Sequence, residues 1–149
     1  MAMAIVSVGD LLDRAAAFEQ ELEEYYTAIR DFGTNEGVKL LTYYLSKHRR
    51  HLQEALEDFS DGKIALIRSI KLKYDIEFKL KIDKADPEDI KGTDLLEAAS
   101  NYDAELIHLY KEIIQQPLRP EGITLFETLI RIEEKDIVMI KKIIAMNYF

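Results

Sequence analysis

Two stretches of the chain repeat each other, and they decide the fold. Residues 9–26 read GDLLDRAAAFEQELEEYY, and residues 93–110 read TDLLEAASNYDAELIHLY. Aligned at a shift of 84 residues, these 18-residue stretches share seven identities. The identical pairs are Asp10/Asp94, Leu11/Leu95, Leu12/Leu96, Ala15/Ala99, Glu21/Glu105, Leu22/Leu106 and Tyr26/Tyr110. Their apolar residues recur at spacings of three and four, which indicates amphipathic helices, and the repetition predicts a duplicated unit.

Each copy is followed by a second helical stretch. Residues 36–52 align with residues 121–137 at a shift of 85, with Glu, Gly and Leu identical at the first, second and fifth positions. The patterns predict four helices, over about 8–31, 36–59, 93–116 and 120 to near the C-terminus. Ser7 with Asp10 predicts a capping box at the start of the first helix. Asp61-Gly62 predicts the end of the second helix, and Thr93 or Asp94 predicts the N-cap of the third. Two helix hairpins predict an antiparallel four-helix bundle.

The segment between the hairpins has a different period. From 70 to 82, apolar residues alternate strictly with charged ones, which is typical of an extended chain with one buried face. We expect a long crossover lying along the bundle. One interpretation is a linker that covers a hydrophobic seam, and the other is an edge strand that pairs with its copy in a homodimer.

Composition limits the class of protein. The chain has 149 residues, no Cys, and 28 Asp and Glu against 20 Lys and Arg, for a net charge of −8. This length predicts a single domain over 1–149, and the missing Cys excludes disulfides, thiolate metal sites and a thiol nucleophile. The acidity argues against nucleic acid and anionic membrane as partners. The start lacks the pattern of a secretory signal, so we expect a cytoplasmic protein.

Polar residues interrupt the apolar stripes at equivalent positions of the two copies. Glu19 matches Asp103, His48 matches Glu133, and His51 matches Asp136. A carboxylate buried in a helix bundle costs several kcal/mol unless it is paired or binds a cation. Four acids and two histidines from four helices therefore suggest a metal site inside the bundle.

These residues carry a resemblance to the ferritin-like superfamily, and within it to the rubrerythrin-like proteins. The family pattern is Glu followed seven residues later by Tyr on helices 1 and 3, with Glu-x-x-His on helices 2 and 4. Here EQELEEYY supplies Glu19 and Tyr26, and DAELIHLY supplies Asp103 and Tyr110. HRRH supplies His48 and His51, and EEKD supplies Glu133 and Asp136. The resemblance implies a binuclear iron or manganese site used in oxidation, peroxide reduction or metal storage.

The chain departs from that family pattern at three positions. His48 stands where the family has a bridging Glu, Asp136 stands where a His is expected, and Asp103 is one methylene shorter than Glu. The donor set Glu19, His48, His51, Asp103, Glu133 and Asp136 is compatible with two unlike metals, a single iron or manganese, or no metal. The alternative function is a non-enzymatic, dimeric bundle with a degenerate site. Outside the set, Glu23 lies one turn beyond Glu19 and is a candidate extra ligand, but its acidic and amide neighbours favour a solvated position. We also expect His108 to be solvated.

Overall fold

The chain is all-helical in the computed structural model, which describes residues 7–57, 61–73, 76, 82 and 86–146, without the side chains of 48–56 and 61. The helices are α1 (Val8–Phe32), α2 (Glu36–Glu57), α3 (Asp61–Arg68), α4 (Gly92–Ile114) and α5 (Pro120–Met146). No strand occurs within these described ranges, although Ser7 and Lys71 form an isolated antiparallel bridge. No described helix is long and apolar enough to cross a membrane.

The sequence predicts α1, α2, α4 and α5, but it does not predict the short helix α3. The prediction of Asp61-Gly62 as a terminator is wrong, because α3 begins at Asp61. α3 packs on the start of α1, where a Cβ on Gly9 would lie 3.0 Å from the carbonyl oxygen of Arg68. Arg68 also donates to Asp13 of α1 at 2.8 Å. A glycine is thus needed at the closest approach of the two helices.

The two copies of the repeat adopt the same pattern of burial. The paired residues Leu11 and Leu95 are 0% and 2% exposed, and Tyr26 and Tyr110 are 4% and 2% exposed. α1 packs with α2, α4 packs with α5, and α2 contacts both α4 and α5. The apolar stripes predicted on the long helices therefore do form the core, although Leu52, Leu56 and Phe59 of the α2 stripe lie outside the described side chains.

Among the described side chains, the buried apolar residues form two clusters. The first is built around the start of α1 and includes Leu11, Leu106, Tyr110 and Phe126. The second includes Tyr26, Leu96 and Ile140. On each of α1, α4 and α5, the residues of the first cluster and those of the second occupy different turns of the helix. A layer of the structure therefore lies between the two clusters.

The described residues of the segment between the hairpins pack against the core. Ile70 and Leu72 pack against the first cluster, Ile76 is buried within it, and Ile82 packs against the second. Gln116 accepts a hydrogen bond from the backbone N–H of Lys73 at 2.7 Å and fixes the start of the segment. The linker and the edge strand are both expected to bury one apolar face, so the choice between them stays a prediction. Tyr74, Phe78 and Leu80 of the alternating pattern lie outside the described residues.

The starts of α1 and α4 are capped differently. The predicted capping box is confirmed at α1, where Asp10 N–H donates to the Ser7 hydroxyl at 3.2 Å and Ser7 N–H donates to Asp10 at 3.1 Å. The predicted cap of α4 is wrong, because the helix begins one residue earlier and Lys91 occupies the N-cap without a side-chain hydrogen bond. Thr93 and Asp94 lie inside the first turn instead.

We expect Ser7→Ala to lower the free energy of unfolding by about 1 kcal/mol, the usual cost of losing an N-cap oxygen. Thr93→Ala is the matched control, and we expect it to change stability by less than about 0.5 kcal/mol. Urea unfolding of both variants measures the difference. Equal effects would contradict the role of Ser7.

Candidate functional site

Three acids fill the layer between the two core clusters. Asp103 of α4 lies between Ala99 and Leu106, and Glu133 and Asp136 of α5 lie between Ile130 and Ile140. Their exposed fractions are 7%, 1% and 6%, respectively. They face the interior because they continue the apolar stripe of their helices at spacings of three and four residues.

The three carboxyl groups interact with one another. Asp103 lies close enough to Asp136 and Glu133 for both to affect its ionisation. Burial raises the pKa of Asp103 well above its usual range, and the nearby Asp136 and the charge of Glu133 raise it further. The protonated form of Asp103 is therefore favoured over the ionised form more strongly than in an exposed Asp.

A small cavity adjoins these acids. It has a volume of about 40 Å³ and is lined by residues of α1, α2, α4 and α5. Its acidic lining residues are Glu19, Glu23, Asp103, Glu133 and Asp136. A single buried water needs about 10–15 Å³, so the cavity has room for a cation and a few waters.

Tyrosines border the acids on several sides. Tyr44 of α2 donates its hydroxyl hydrogen to Asp136 Oδ1 at 3.3 Å. Burial and the charge of Asp136 raise the pKa of Tyr44 to about 12. Burial also raises the pKa of Tyr26 and of Tyr110 well above the usual value, with the charges of nearby acids adding to the effect. All three phenols are therefore neutral hydrogen-bond donors at neutral pH.

Glu23 is not the solvated residue expected from its acidic neighbours in the sequence. It lines the cavity and its side chain is 27% exposed, because Arg30 draws it into an ion pair of 3.1 Å. Neither Arg30 nor Tyr44 was predicted to belong to the site. A helical spacing of seven residues between Glu23 and Arg30 was the available signal, since it places both on one face of α1.

The six predicted ligands are only partly placed together. Asp103, Glu133 and Asp136 are buried neighbours, and Glu19 is half-buried on α1 at the same cavity. His48 and His51 lie on α2, but their side chains are outside those that the structure describes. His108 is exposed, as expected. Among the described side chains, no three His, Asp or Glu residues form the arrangement of a metal centre.

The chemistry of the described donors nevertheless fits one class of ion. Carboxylate oxygens are hard ligands that suit Mn²⁺, Mg²⁺ and Ca²⁺, and imidazoles from α2 would extend the range to iron. Comparison of the chain with protein-family models, with characterised proteins and with solved structures gives no significant match. The geometry and donor chemistry of the cavity therefore carry the functional argument.

Proposed function

We propose that the cavity binds a hard divalent cation, manganese or iron, and that the chain is a ferritin-like four-helix bundle of α1, α2, α4 and α5 with a crossover over 70–82. The observation that carries the proposal is the convergence of Glu19, Asp103, Glu133 and Asp136 from three helices on one cavity. A cation there would replace the proton on Asp103 and offset the clustered negative charge. His48 and His51 remain proposed ligands from α2.

Manganese binding to tag-free protein tests this proposal. Equilibrium dialysis is expected to show saturable Mn²⁺ binding, and Glu133→Gln is expected to weaken it by at least about tenfold because a buried donor and its charge are lost. Glu134→Gln removes the same charge from the exposed neighbouring position and should leave the affinity unchanged. No saturable binding, or equal affinity in all three proteins, would contradict the proposal.

An oxidase or peroxidase role is a further part of this proposal. Bound iron or manganese would supply one-electron chemistry, while the chain's own contribution is a cavity lined by the neutral phenol of Tyr26, with the neutral phenol of Tyr110 near the same acids. The test is the near-ultraviolet absorption of iron-loaded protein after addition of O₂ or peroxide. An unchanged spectrum would leave metal binding or storage as the function.

The second candidate is a metal-free, non-enzymatic bundle that acts as a homodimer. The observation that favours it is the burial of Asp103 beside Asp136 and Glu133 with a raised pKa, since acids that share protons lower the charge of the cluster without a metal. This function predicts no Mn²⁺ binding in the dialysis experiment and a dimeric mass in solution. A monomeric mass would contradict it.

A further inference from the structure

The guanidinium group of Arg30 is held by two helices beside the proposed cation cavity. Its Nη2 donates to Glu23 Oε1 at 3.1 Å and to Thr27 Oγ1 at 3.0 Å on α1. Its Nη1 donates to Ser46 Oγ at 3.1 Å on α2, with a longer bond of 3.4 Å to Thr42 Oγ1. The ring of Tyr43 covers the group, with its centroid 4.8 Å from Arg30 Cζ. These contacts fix a positive charge in one place, since the side chain is only 16% exposed.

The second copy of the repeat has no ion pair at the positions equivalent to Glu23 and Arg30. In the alignment of the two repeats, Glu23 corresponds to Ile107 and Arg30 corresponds to Ile114. Both isoleucines pack against the first apolar cluster. The equivalent position in the second hairpin is therefore occupied by a simple apolar pair, so packing alone does not explain a Glu and an Arg in the first hairpin.

Glu23 connects Arg30 to the cavity. It is one of five acids in the lining, and it is the one that Arg30 engages. A carboxylate held by a guanidinium is a weaker cation ligand than one that is not, because the guanidinium occupies one of its oxygens and offsets its charge. The fixed positive charge also opposes an incoming cation.

We propose that Arg30 is a positioning residue that holds Glu23 at the wall of the cavity. Its charge lowers the affinity of the cavity for divalent cations, so that a bound cation remains exchangeable. This inference rests on the proposed cation-binding function. Arg30 contacts no cation itself and acts only through Glu23 and through its charge.

Opposite shifts in Mn²⁺ affinity test the inference. We expect Arg30→Gln to tighten binding by about fivefold and Glu23→Gln, which leaves Arg30 without its acidic partner, to weaken it by about the same factor. The double variant should return to within about twofold of the wild type, because the local charge is then restored. Lys39→Gln is the control: it removes one positive charge from an ion pair with Glu36 on the surface of α2 and should not change the affinity.

A merely structural role for the ion pair gives a different pattern. Loss of structure would lower the affinity of both single variants and would not be repaired in the double variant. Equal affinities, or shifts in the same direction, would overturn this inference and leave the proposed function intact. If the wild type and Arg30→Gln both fail to bind Mn²⁺, the proposed function fails and this inference fails with it.

Discussion

Replacing Asp103 with Asn is expected to raise the free energy of unfolding of the metal-free protein by about 2–4 kcal/mol at pH 7. Burial raises the pKa of Asp103 in the folded protein, and the acids around it raise that pKa further. An Asn amide carries no charge at any pH, and its two N–H groups match the two neighbouring acceptors, Glu133 and Asp136. The substitution therefore removes a titration that opposes folding and keeps a polar group beside these acceptors.

The pH dependence follows from the direction of that pKa shift. Asp103 has a higher pKa when folded than when unfolded, so its contribution is fully present below the unfolded value of about 4 and is lost progressively as the pH rises. The wild type should lose stability between about pH 4 and neutral pH relative to Asp103→Asn, whose profile should be flatter over that window. Urea unfolding at several pH values measures both curves.

The matched control for this prediction lies on the same helix. Glu105 is exposed on α4, and Glu105→Gln should leave the stability within about 0.5 kcal/mol of the wild type. A loss of stability in Asp103→Asn at pH 7, or two parallel pH profiles, would show that Asp103 is ionised in the fold. If the cavity binds a cation as proposed, Asp103→Asn also weakens Mn²⁺ binding. The stability of the metal-free protein and its affinity for Mn²⁺ then change in opposite directions.

Phe126→Ala is expected to lower the free energy of unfolding by about 3–5 kcal/mol. Phe126 is fully buried in the first apolar cluster and packs on Tyr110 with ring centroids 5.9 Å apart. Truncation would leave a cavity beside Tyr110 and remove an aromatic contact between α4 and α5. Thermal or urea unfolding measures the loss.

Phe32 provides the control for that substitution. Its side chain lies at the end of α1 and is 63% exposed, so Phe32→Ala should change stability by less than about 0.5 kcal/mol. A cost below about 1 kcal/mol for Phe126→Ala would contradict the assignment of this α5 stripe to the core.

Helix positions could be predicted from the sequence because they depend on local signals. The spacing of apolar residues, the Ser7 and Asp10 capping box and Pro120 all act within one or two helical turns. α3 was missed because Asp61-Gly62 is both a helix-ending and a helix-starting signal, and only packing of Gly9 against Arg68 decides between them. The start of α4 was misplaced because Lys91, which occupies its N-cap, is a residue type that is a poor N-cap.

The candidate site could be predicted only as far as the repeat defines it. The repeat placed Asp103 and the pair Glu133 and Asp136 on interior stripes, and these residues are buried. It gave no information on Glu23 and Arg30, because their counterparts in the second hairpin are isoleucines. Tyr44 was likewise missed, since its bond to Asp136 joins residues 92 positions apart and has no local signature.

The central claim is that a divalent cation binds among Glu19, Asp103, Glu133 and Asp136. The most direct measurement is a crystal structure of the tag-free protein grown with Mn²⁺, with anomalous scattering used to locate the metal. The account predicts an anomalous peak inside the cavity, within ligand distance of carboxylate oxygens from α4 and α5, and separation of Asp103 from Asp136 and Glu133. A cavity without a peak, in which the three carboxyl groups keep their present positions, would contradict it.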